Sequence, residues 1–401
     1  MRKTVFSLVT CALWLSSCDP SIGTEECIGT ACTKPLGLQP TLLNVTFQKV
    51  SVESPADLPI KWRIPRPCTG PCMPPSPISL SRGMGDTVWT EPRDGTLRAI
   101  DLIDAAGLVT RTTISPPTVD VAGLLGSYLS ADIEGRAVVH LQWGGPEMEP
   151  VDQVSLVQPP NQIVGITLSS PAKLPPPLAL IASQAGFLMF EGDERGQIVR
   201  LVDFTGKTSW QQTKFPKFAS SVGTSAAFAN DRFVLSASDG DPKDTHYGLL
   251  SLDTSGAVTK FEINSDSRWT SATMLQLDQG AFAVAAASNL LVERFVNDGA
   301  GNIDVVMFAA NGQLTGYRME RVCFLDLTVF GFTYDAAGSL YISSVVGTKT
   351  EPRGLLCRLS PSASRCFQAE PQVLLGQIAA TNAGVIFAAA GDEILRIELP
   401  P

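Results

Sequence analysis

Few side chains in this sequence are suited to acid–base or nucleophilic chemistry. The 401 residues include two histidines, His140 and His246, and a Ser-His-Asp or Cys-His unit needs an imidazole that a third group orients. His140, in AVVHLQW, alternates with apolar residues of a predicted strand, as structural histidines do. His246, in DGDPKDTHYG, lies in a polar loop that predicts a solvated side chain. No G-x-S-x-G, H-E-x-x-H or G-x-x-x-x-G-K-[ST] motif occurs, so we assign no catalytic residue.

Two acidic loops, SDGDPKDTH and NDGAGNID, offer the oxygen ligands that Ca²⁺ prefers. The candidate ligands are Asp239, Asp241 and Asp244 in the first loop, and Asp298, Asn302 and Asp304 in the second. Neither loop follows the full D-x-[DN]-x-[DN]-G-x₅-E pattern. Asp and Asn also occur in loops because they bond to the nearby backbone, so ordinary turn chemistry is the alternative to calcium. No other cofactor is predicted.

The N-terminus has the order of an export signal. Arg2 and Lys3 precede an apolar run, Val5 to Leu15, which is shorter than the roughly 20 residues of a membrane-spanning helix. The run ends in Leu15-Ser16-Ser17-Cys18, which resembles the lipobox of bacterial lipoproteins. The resemblance implies that residues 1–17 are a signal peptide removed by cleavage and that Cys18 becomes the acylated N-terminus.

That resemblance predicts a bacterial envelope protein whose body lies in the periplasm or at the cell surface, tethered to the bilayer through Cys18 by residues 18–40. Asp19 resembles the inner-membrane retention signal of enteric lipoproteins, but other lineages differ, so the inner and outer membranes both stay open. The alternatives are an ordinary cleaved signal with an incidental cysteine, or a buried N-terminal helix.

Composition fits an exported, folded body. The net charge is −9, and 44% of residues are hydrophobic against 17% charged, which allows a large core and argues against disorder. Nucleic acid is not an expected partner, because phosphate contacts need clustered Lys and Arg.

The cysteines agree with an oxidising compartment, where disulfides persist. Short intervals in CIGTAC, CTGPC and CRLSPSASRC predict three local disulfides. The candidates are Cys27 with Cys32, Cys68 with Cys72, and Cys357 with Cys366. Cys323, in RVCFLDL, is left as a buried thiol. Metal or redox chemistry is the weaker alternative, since no histidine is nearby and the spacing is not C-x-x-C.

From about residue 80 a turn residue before a short strand recurs at intervals of about 50 residues, close to the period of propeller blades. The marker positions are Gly85, Gly135, Gly186, Asp231, Gly280, Gly338 and Gly384. A second series of Asp/Asn–Gly turns, at Gly107, Gly206, Gly256 and Gly312, falls behind the first. Two hairpin turns in each period describe a four-stranded antiparallel sheet.

Seven such sheets predict an all-β protein, a seven-bladed β-propeller with little helix. The last repeat has too few strands, so we expect the strand at about 41–50 to complete it. The propeller then spans 41–401, with a Pro/Cys-rich loop at 64–78. A β-sandwich, which also shows regular turns, is the alternative.

The segment LVDFTGKTSW, Leu201 to Trp210, resembles the quinoprotein-type repeat, in which Asp, Thr-Gly-Lys and a following Trp close each blade. Its Asp-to-Thr interval is one residue shorter than in that pattern, and Phe261 stands near the tryptophan's place in the next copy. The resemblance implies membership of the broad quinoprotein-like and WD40-like class of propellers.

These features favour a non-catalytic binding or scaffolding propeller in the cell envelope, with a protein, peptide or glycan as partner. The alternative is a propeller enzyme of the lyase, hydrolase or quinoprotein type, with its site at the central channel. Fold alone does not choose between them.

Overall fold

In the structure of this protein, a computed structural model, short apolar segments separated by turn residues form the strands. The residues it describes are 38–42, 44–50, 55–65, 80–90, 99–115, 123–131, 135–145, 148–158, 162–168, 179–183, 185–193, 196–215, 221–229, 232–238, 247–263, 271–276, 282–287, 302–308, 314–320, 331–335, 339–347, 350–360, 363–381 and 384–400. These ranges contain strands and turns and no helix. Accordingly, none of them holds a helix long and apolar enough to cross a membrane.

The first four strands form an N-terminal arm. They are β1 (Thr41–Leu42), β2 (Phe47–Val50), β3 (Ala56–Asp57) and β4 (Ile60–Pro65).

The next twenty-four strands make six complete antiparallel sheets of four, which we number blades 1 to 6 in chain order. Blade 1 is β5 (Leu80–Arg82), β6 (Thr87–Thr90), β7 (Ala99–Asp104) and β8 (Val109–Thr113). Blade 2 is β9 (Gly123–Ala131), β10 (Ala137–Gly145), β11 (Met148–Gln158) and β12 (Gln162–Ile166). Blade 3 is β13 (Ala179–Ser183), β14 (Gly186–Asp193), β15 (Gly196–Val202) and β16 (Thr208–Gln212).

Blade 4 is β17 (Ser221–Ala229), β18 (Arg232–Ser238), β19 (Tyr247–Asp253) and β20 (Val258–Ile263). Blade 5 is β21 (Ser271–Gln276), β22 (Phe282–Ala287), β23 (Asn302–Phe308) and β24 (Leu314–Glu320). Blade 6 is β25 (Gly331–Tyr334), β26 (Leu340–Gly347), β27 (Pro352–Leu359) and β28 (Ser364–Gln368). Blade 7 contributes three strands, β29 (Ile378–Ala380), β30 (Ile386–Ala390) and β31 (Glu393–Ile397), and takes its fourth from the arm.

The blades form a ring around their first strands. Successive first strands contact one another from β5 through β9, β13 and β17 to β21, and from β25 through β29 back to β5. Buried apolar clusters lie between blades, for example Trp89 of blade 1 with Trp143 of blade 2. The predicted seven-bladed propeller of four-stranded sheets is therefore confirmed.

The marker turns have the predicted role. By sequence position, six of the seven fall between the first and second strands of their blades, and Gly186 is the first residue of the second strand, β14. The second series falls between third and fourth strands. Among the described markers, Gly85 and Gly384 have φ of 65° and 78°, a left-handed conformation that favours glycine.

The prediction that residues 41–50 complete the last blade is wrong. Strand β4 does so, with Ile64 opposite Ile394 of β31. Residues 41–50 instead supply β1 and β2, which run parallel to the outer strands β20 and β24, while β3 runs parallel to β28. The predicted loop at 64–78 also begins too early, because residues 64 and 65 belong to β4 and residues 66–79 lie outside the described ranges.

Strand β4 has one apolar side, which is buried, and one charged side, which faces outward. Trp62 and Ile64 point inward and pack on the cluster between blades 7 and 1. Between them, Arg63 faces outward and pairs with Glu370 at 3.0 Å and Glu393 at 3.7 Å. Alternation of apolar and charged residues thus suits an outermost strand with one buried face.

Candidate functional site

The two faces of the ring differ in the length of their connections. Antiparallel order puts first-to-second and third-to-fourth connections on one face, here called the turn face, and the remaining connections on the other, here called the loop face. The turn face has short turns, such as Gly83–Asp86. The long connections from β4 to β5 and from β22 to β23, residues 66–79 and 288–301, lie outside the described ranges.

On the turn face, two aspartate carboxylates accept hydrogen bonds from residues of their own turns. Asp203 accepts hydrogen bonds from the hydroxyl of Thr205 at 2.6 Å and from the backbone N–H groups of Thr205 and Lys207. The Thr205 hydroxyl is the main reason that the pKa of Asp203 lies below its ordinary value of 3.8. Asp253 repeats the arrangement with Ser255, which likewise lowers the pKa of Asp253.

The glycines of these turns are packing surfaces for the preceding blade. A Cβ atom at Gly256 would fall 2.5 Å from ring carbons of Trp210 in blade 3, and one at Gly107 would contact Trp62 at 3.5 Å. Trp210 also meets Phe233 edge-on, with ring centroids 5.4 Å apart. The resemblance in LVDFTGKTSW therefore corresponds to a seam between blades, where Trp210 lies on the turn of the next blade.

Buried polar groups in the blades are structural. Asp101, with no exposed side-chain surface, accepts two hydrogen bonds from Arg111 at 2.8 and 2.9 Å. Asp335 accepts from the Tyr341 hydroxyl at 2.7 Å, and burial is the main reason that the pKa of Tyr341 lies far above its ordinary value. His140 is fully buried in β10, as predicted for a structural histidine.

The longest connection of the loop face that lies wholly within the described ranges is residues 369–377, which join β28 of blade 6 to β29 of blade 7. Two neighbouring strands hold its backbone, since the Gln372 N–H donates to Pro352 at 2.8 Å and the Gly376 N–H donates to Ala389 at 2.7 Å. Leu375, a residue of this stretch, is buried. Its side chain occupies the space beside Gly354, where any residue other than glycine would place its Cβ atom. We call residues 369–377 the seam loop.

The seam loop presents a mixed surface. Glu370, Pro371, Gln372, Leu374 and Gln377 are exposed, and the Gln377 side-chain oxygen accepts from the Leu80 N–H at 2.9 Å, which ties the loop to blade 1. A rigid frame that displays variable loop side chains is the usual form of a protein recognition site. The seam loop is therefore the best-defined candidate binding surface.

A groove of about 370 Å³ opens at the rim between blades 6 and 7. Its lining includes Arg365, whose guanidinium lies 5.1 Å from the centroid of the Phe367 ring, and Lys61, which pairs with Glu398 at 3.5 Å. Opposite charges thus already meet within this groove, and it has no single-sign field that would select an ion.

Some of the predicted site residues lie within the described ranges, and others do not. The Cys357–Cys366 disulfide is present, between directly opposed residues of β27 and β28. Asn302 and Asp304 belong to strand β23, so the second acidic loop ends before them. Within the described ranges no three His, Cys, Asp or Glu side chains could hold a metal ion. The other predictions fall outside these ranges: Cys18, Cys27, Cys32, Cys68, Cys72, Cys323, Asp239, Asp241, Asp244, His246 and Asp298.

Sequence reasoning missed the seam loop, and it predicted an N-terminal closing strand but placed it at 41–50 instead of at β4. The signal for the arm was available in IKWRIP, where Ile60, Trp62 and Ile64 alternate with Lys61 and Arg63. The seam loop has no comparable signature, because its order depends on backbone partners in two blades.

No protein-family model and no curated protein matches the sequence. Solved propeller structures match its fold. The WD40 β-propeller domain of Doa1 has a TM-score of 0.50 at 10% identity, covering 86% of this chain and 98% of that chain. A virginiamycin B lyase from Staphylococcus aureus has a TM-score of 0.43 at 13% identity, covering 84% and 99%.

YCF48 bound to D1 peptide has a TM-score of 0.43 at 12% identity, covering 86% of this chain and 98% of that chain. At such identities a likeness speaks for the fold alone. Together with the sheet order, the likeness to the Doa1 domain shows that this chain has the fold of a seven-bladed β-propeller.

Proposed function

We propose that this protein is an exported bacterial lipoprotein, anchored to a membrane through acylated Cys18, whose propeller is a non-catalytic binding or scaffolding module of the cell envelope. One observation carries the proposal: the lipobox order Leu15-Ser16-Ser17-Cys18 precedes a chain whose first described strand, β1, pairs with β20, the fourth strand of blade 4, at the rim of the ring. A tether attached at the rim leaves the loop face available to a partner.

The anchor is physically sufficient. A lipobox cysteine carries two or three acyl chains, and two chains hold a protein on a bilayer where one is marginal. Residues 19–37 can span at most roughly 60 Å when extended, enough to place the ring beyond the lipid headgroups while keeping it near the membrane.

The binding role is supported by how the described side chains are used. Asp101, Asp335 and His140 lie inside blades. The exposed residues of the seam loop are both polar and apolar, on a backbone that hydrogen bonds to two blades hold in place. Such a surface suits recognition of a protein, peptide or glycan. We place the partner on the loop face.

Metabolic labelling with a tagged fatty acid tests the anchor. Wild type and a Cys11→Ala control should incorporate the label, while Cys18→Ala should not. An unlabelled wild type, or label that persists in Cys18→Ala, would show that the anchoring proposal is wrong.

Site-specific photo-cross-linking in intact cells tests the face. A cross-linking residue at Leu374, exposed on the seam loop, should give an adduct with an envelope component, and one at Asp86 on the turn face should not. Adducts from Asp86 alone, or none from either position, would contradict a binding role for the loop face.

A further inference from the structure

The direction of the arm shows at which end of a blade the described chain begins. Strand β1 runs parallel to β20, with Thr41 opposite Glu262, and β20 starts at Val258, just after a turn of the turn face. Leu38, which precedes β1, packs on the apolar cluster of blades 3 and 4 that includes Val258. The described chain therefore begins toward the turn-face end of this edge and runs toward the loop face.

The tether alone does not decide which face of the ring lies toward a membrane. Residues 19–37 reach roughly 60 Å when extended, which exceeds the roughly 20–30 Å spanned by the strands of a blade. A second contact is needed to fix the orientation. A weak contact is sufficient, because a tether makes the second binding event intramolecular.

The turn face of blade 1 offers such a contact. Met84, in the turn between β5 and β6, is 53% exposed, and Leu108, at the end of the turn between β7 and β8, is 67% exposed. The two turns leave the blade at the same level, because Thr87 of β6 lies directly opposite Asp104 of β7. Two large apolar side chains are thus displayed on neighbouring turns of one blade.

The turn itself does not require an apolar residue at Leu108. The equivalent turn of blade 3 has the same backbone, since the Asp104 N–H donates to the Leu108 carbonyl at 3.1 Å and the Asp203 N–H donates to the Lys207 carbonyl at 2.9 Å. In both turns the first aspartate also accepts from the N–H group of that last residue. A lysine therefore fits the position that Leu108 occupies, so the turn geometry leaves this side chain free to serve another role.

The tip of the same turn is apolar as well. Ala106 is exposed and donates its N–H to Asp104 at 2.8 Å. Thr205 makes the same backbone bond in blade 3 and adds a hydroxyl bond to Asp203. The turn of blade 1 thus keeps the backbone pattern but lacks the polar tip, which is the composition expected of a surface that contacts lipid.

The arm and the apolar turns lie on nearly opposite sides of the ring. The described chain begins at the edge of blade 4, and the apolar turns belong to blade 1, three blades away in a ring of seven. A tether near one side and an apolar contact near the other would hold a face flat against a surface, whereas either one alone would let the ring tilt.

We propose that the turn face lies against the lipid bilayer, with Met84, Ala106 and Leu108 at the level of the lipid headgroups, and that the loop face points away from the membrane. This orientation rests on the lipid anchor proposed above and deepens it. It also presents the seam loop to a partner outside the bilayer.

The contact is shallow. Asp86, exposed two positions after Met84, keeps that turn from entering the hydrocarbon, because an unpaired carboxylate is costly to remove from water. Amphipathic surfaces that bind at the interface place their apolar groups at the boundary of headgroups and acyl chains. Leu108 and Ala106 fit that depth.

Depth-dependent fluorescence quenching tests the orientation. The acylated full chain is reconstituted in phosphatidylcholine vesicles that contain a lipid with a nitroxide quencher just below its headgroup. A fluorescent amino acid replaces Ala106 in one protein and Leu374, on the loop face, in another. The probe at position 106 should be quenched strongly, and the probe at position 374 should be quenched about tenfold less or not at all.

A charge-introducing variant tests the apolar contact. Leu108→Lys should fold, because Lys207 holds the equivalent position in blade 3, and it should lower quenching at position 106 about tenfold. Leu374→Lys is the matched control, since it makes the same change on the loop face and should leave quenching at position 106 unchanged.

Three results would overturn the proposal: equal quenching at the two probe positions, stronger quenching at position 374, or quenching at position 106 that Leu108→Lys does not lower. Fatty-acid labelling of Cys18 is read separately, so a labelled protein with equal quenching would contradict the orientation and leave the anchor standing. Cross-linking from Leu374 reports the partner independently, and lipid adducts from the turn face are told apart from protein or glycan adducts by their mass.

Discussion

The indole of Trp210 lies across the backbone of Gly256, so closely that a Cβ atom there would fall 2.5 Å from two of its ring carbons. The two residues belong to blades 3 and 4, and Gly256 has φ of 83°. A single missing side chain therefore allows both a left-handed turn and the close approach of two sheets.

We expect Gly256→Ala to lower the free energy of unfolding by about 3 kcal/mol, from backbone strain together with displacement of Trp210. Gly384→Ala is the matched control, because its φ is 78° but a Cβ there meets nothing within 4 Å. It should cost only about 1 kcal/mol. Urea unfolding measures both, and equal losses would contradict a steric role for Trp210.

The closing strand makes a second comparison possible. Trp62 meets Phe387 with ring centroids 5.8 Å apart and donates to the Ala105 carbonyl at 3.2 Å. Trp62→Ala should cost about 2–4 kcal/mol. Arg63→Ala, which removes two exposed ion pairs, should cost less than about 1 kcal/mol. Chemical denaturation measures the loss of unfolding free energy in both variants. A larger loss from Arg63→Ala would mean that the ion pairs of Arg63 contribute more than the packing of Trp62 to holding β4 in blade 7.

Acid stability should depend on the turn carboxylates. Because hydrogen bonds lower the folded-state pKa of Asp203 below 3.8, its stabilisation is present above the unfolded pKa and is lost as the pH falls through the folded pKa. The difference in unfolding free energy between wild type and Asp203→Asn should be constant above about pH 5 and shrink below the unfolded pKa. Thr205→Val should raise the pKa of Asp203, which carboxyl NMR titration measures; an unchanged titration would contradict the assigned cause.

The Cys357–Cys366 disulfide should stabilise the outer part of blade 6. Its cysteines are nine positions apart, and closing a loop of this size stabilises by about 2–3 kcal/mol in the chain-entropy model. The double variant Cys357→Ala and Cys366→Ala should lose that amount in urea unfolding. Alkylation of both thiols in denatured, unreduced wild type would show instead that the bond does not form in the protein.

The number of blades could be predicted from the sequence because each blade needs a turn that only a few types of residue can form. Among the described markers, Gly85, Gly135, Gly186 and Gly384 have a positive φ. The closing strand was misplaced because the alternation in residues 41–54 identifies a strand without naming its neighbour. Parallel addition to β20 or β24 and antiparallel completion of blade 7 use the same pattern.

The candidate sites were less predictable, for a physical reason. The backbone of the seam loop is held by hydrogen bonds to Pro352 of blade 6 and Ala389 of blade 7, and the Gln377 side chain is tied to Leu80 of blade 1. Both are properties of the assembled ring. The Cys357–Cys366 bond, by contrast, joins adjacent strands across a local turn, so short spacing was enough to predict it.

Pairing of β4 with β31 brings Ile64 opposite Ile394, so the ring closes through contacts between residues that are far apart in sequence. Strand β4 is synthesised early, and its partner β31 is the last strand of the chain. Strand β4 therefore has no partner until every other strand has been made. Non-local pairing of this kind slows folding. Closure of the ring is therefore expected to be one of the last events in folding, after the blades between the two ends have formed.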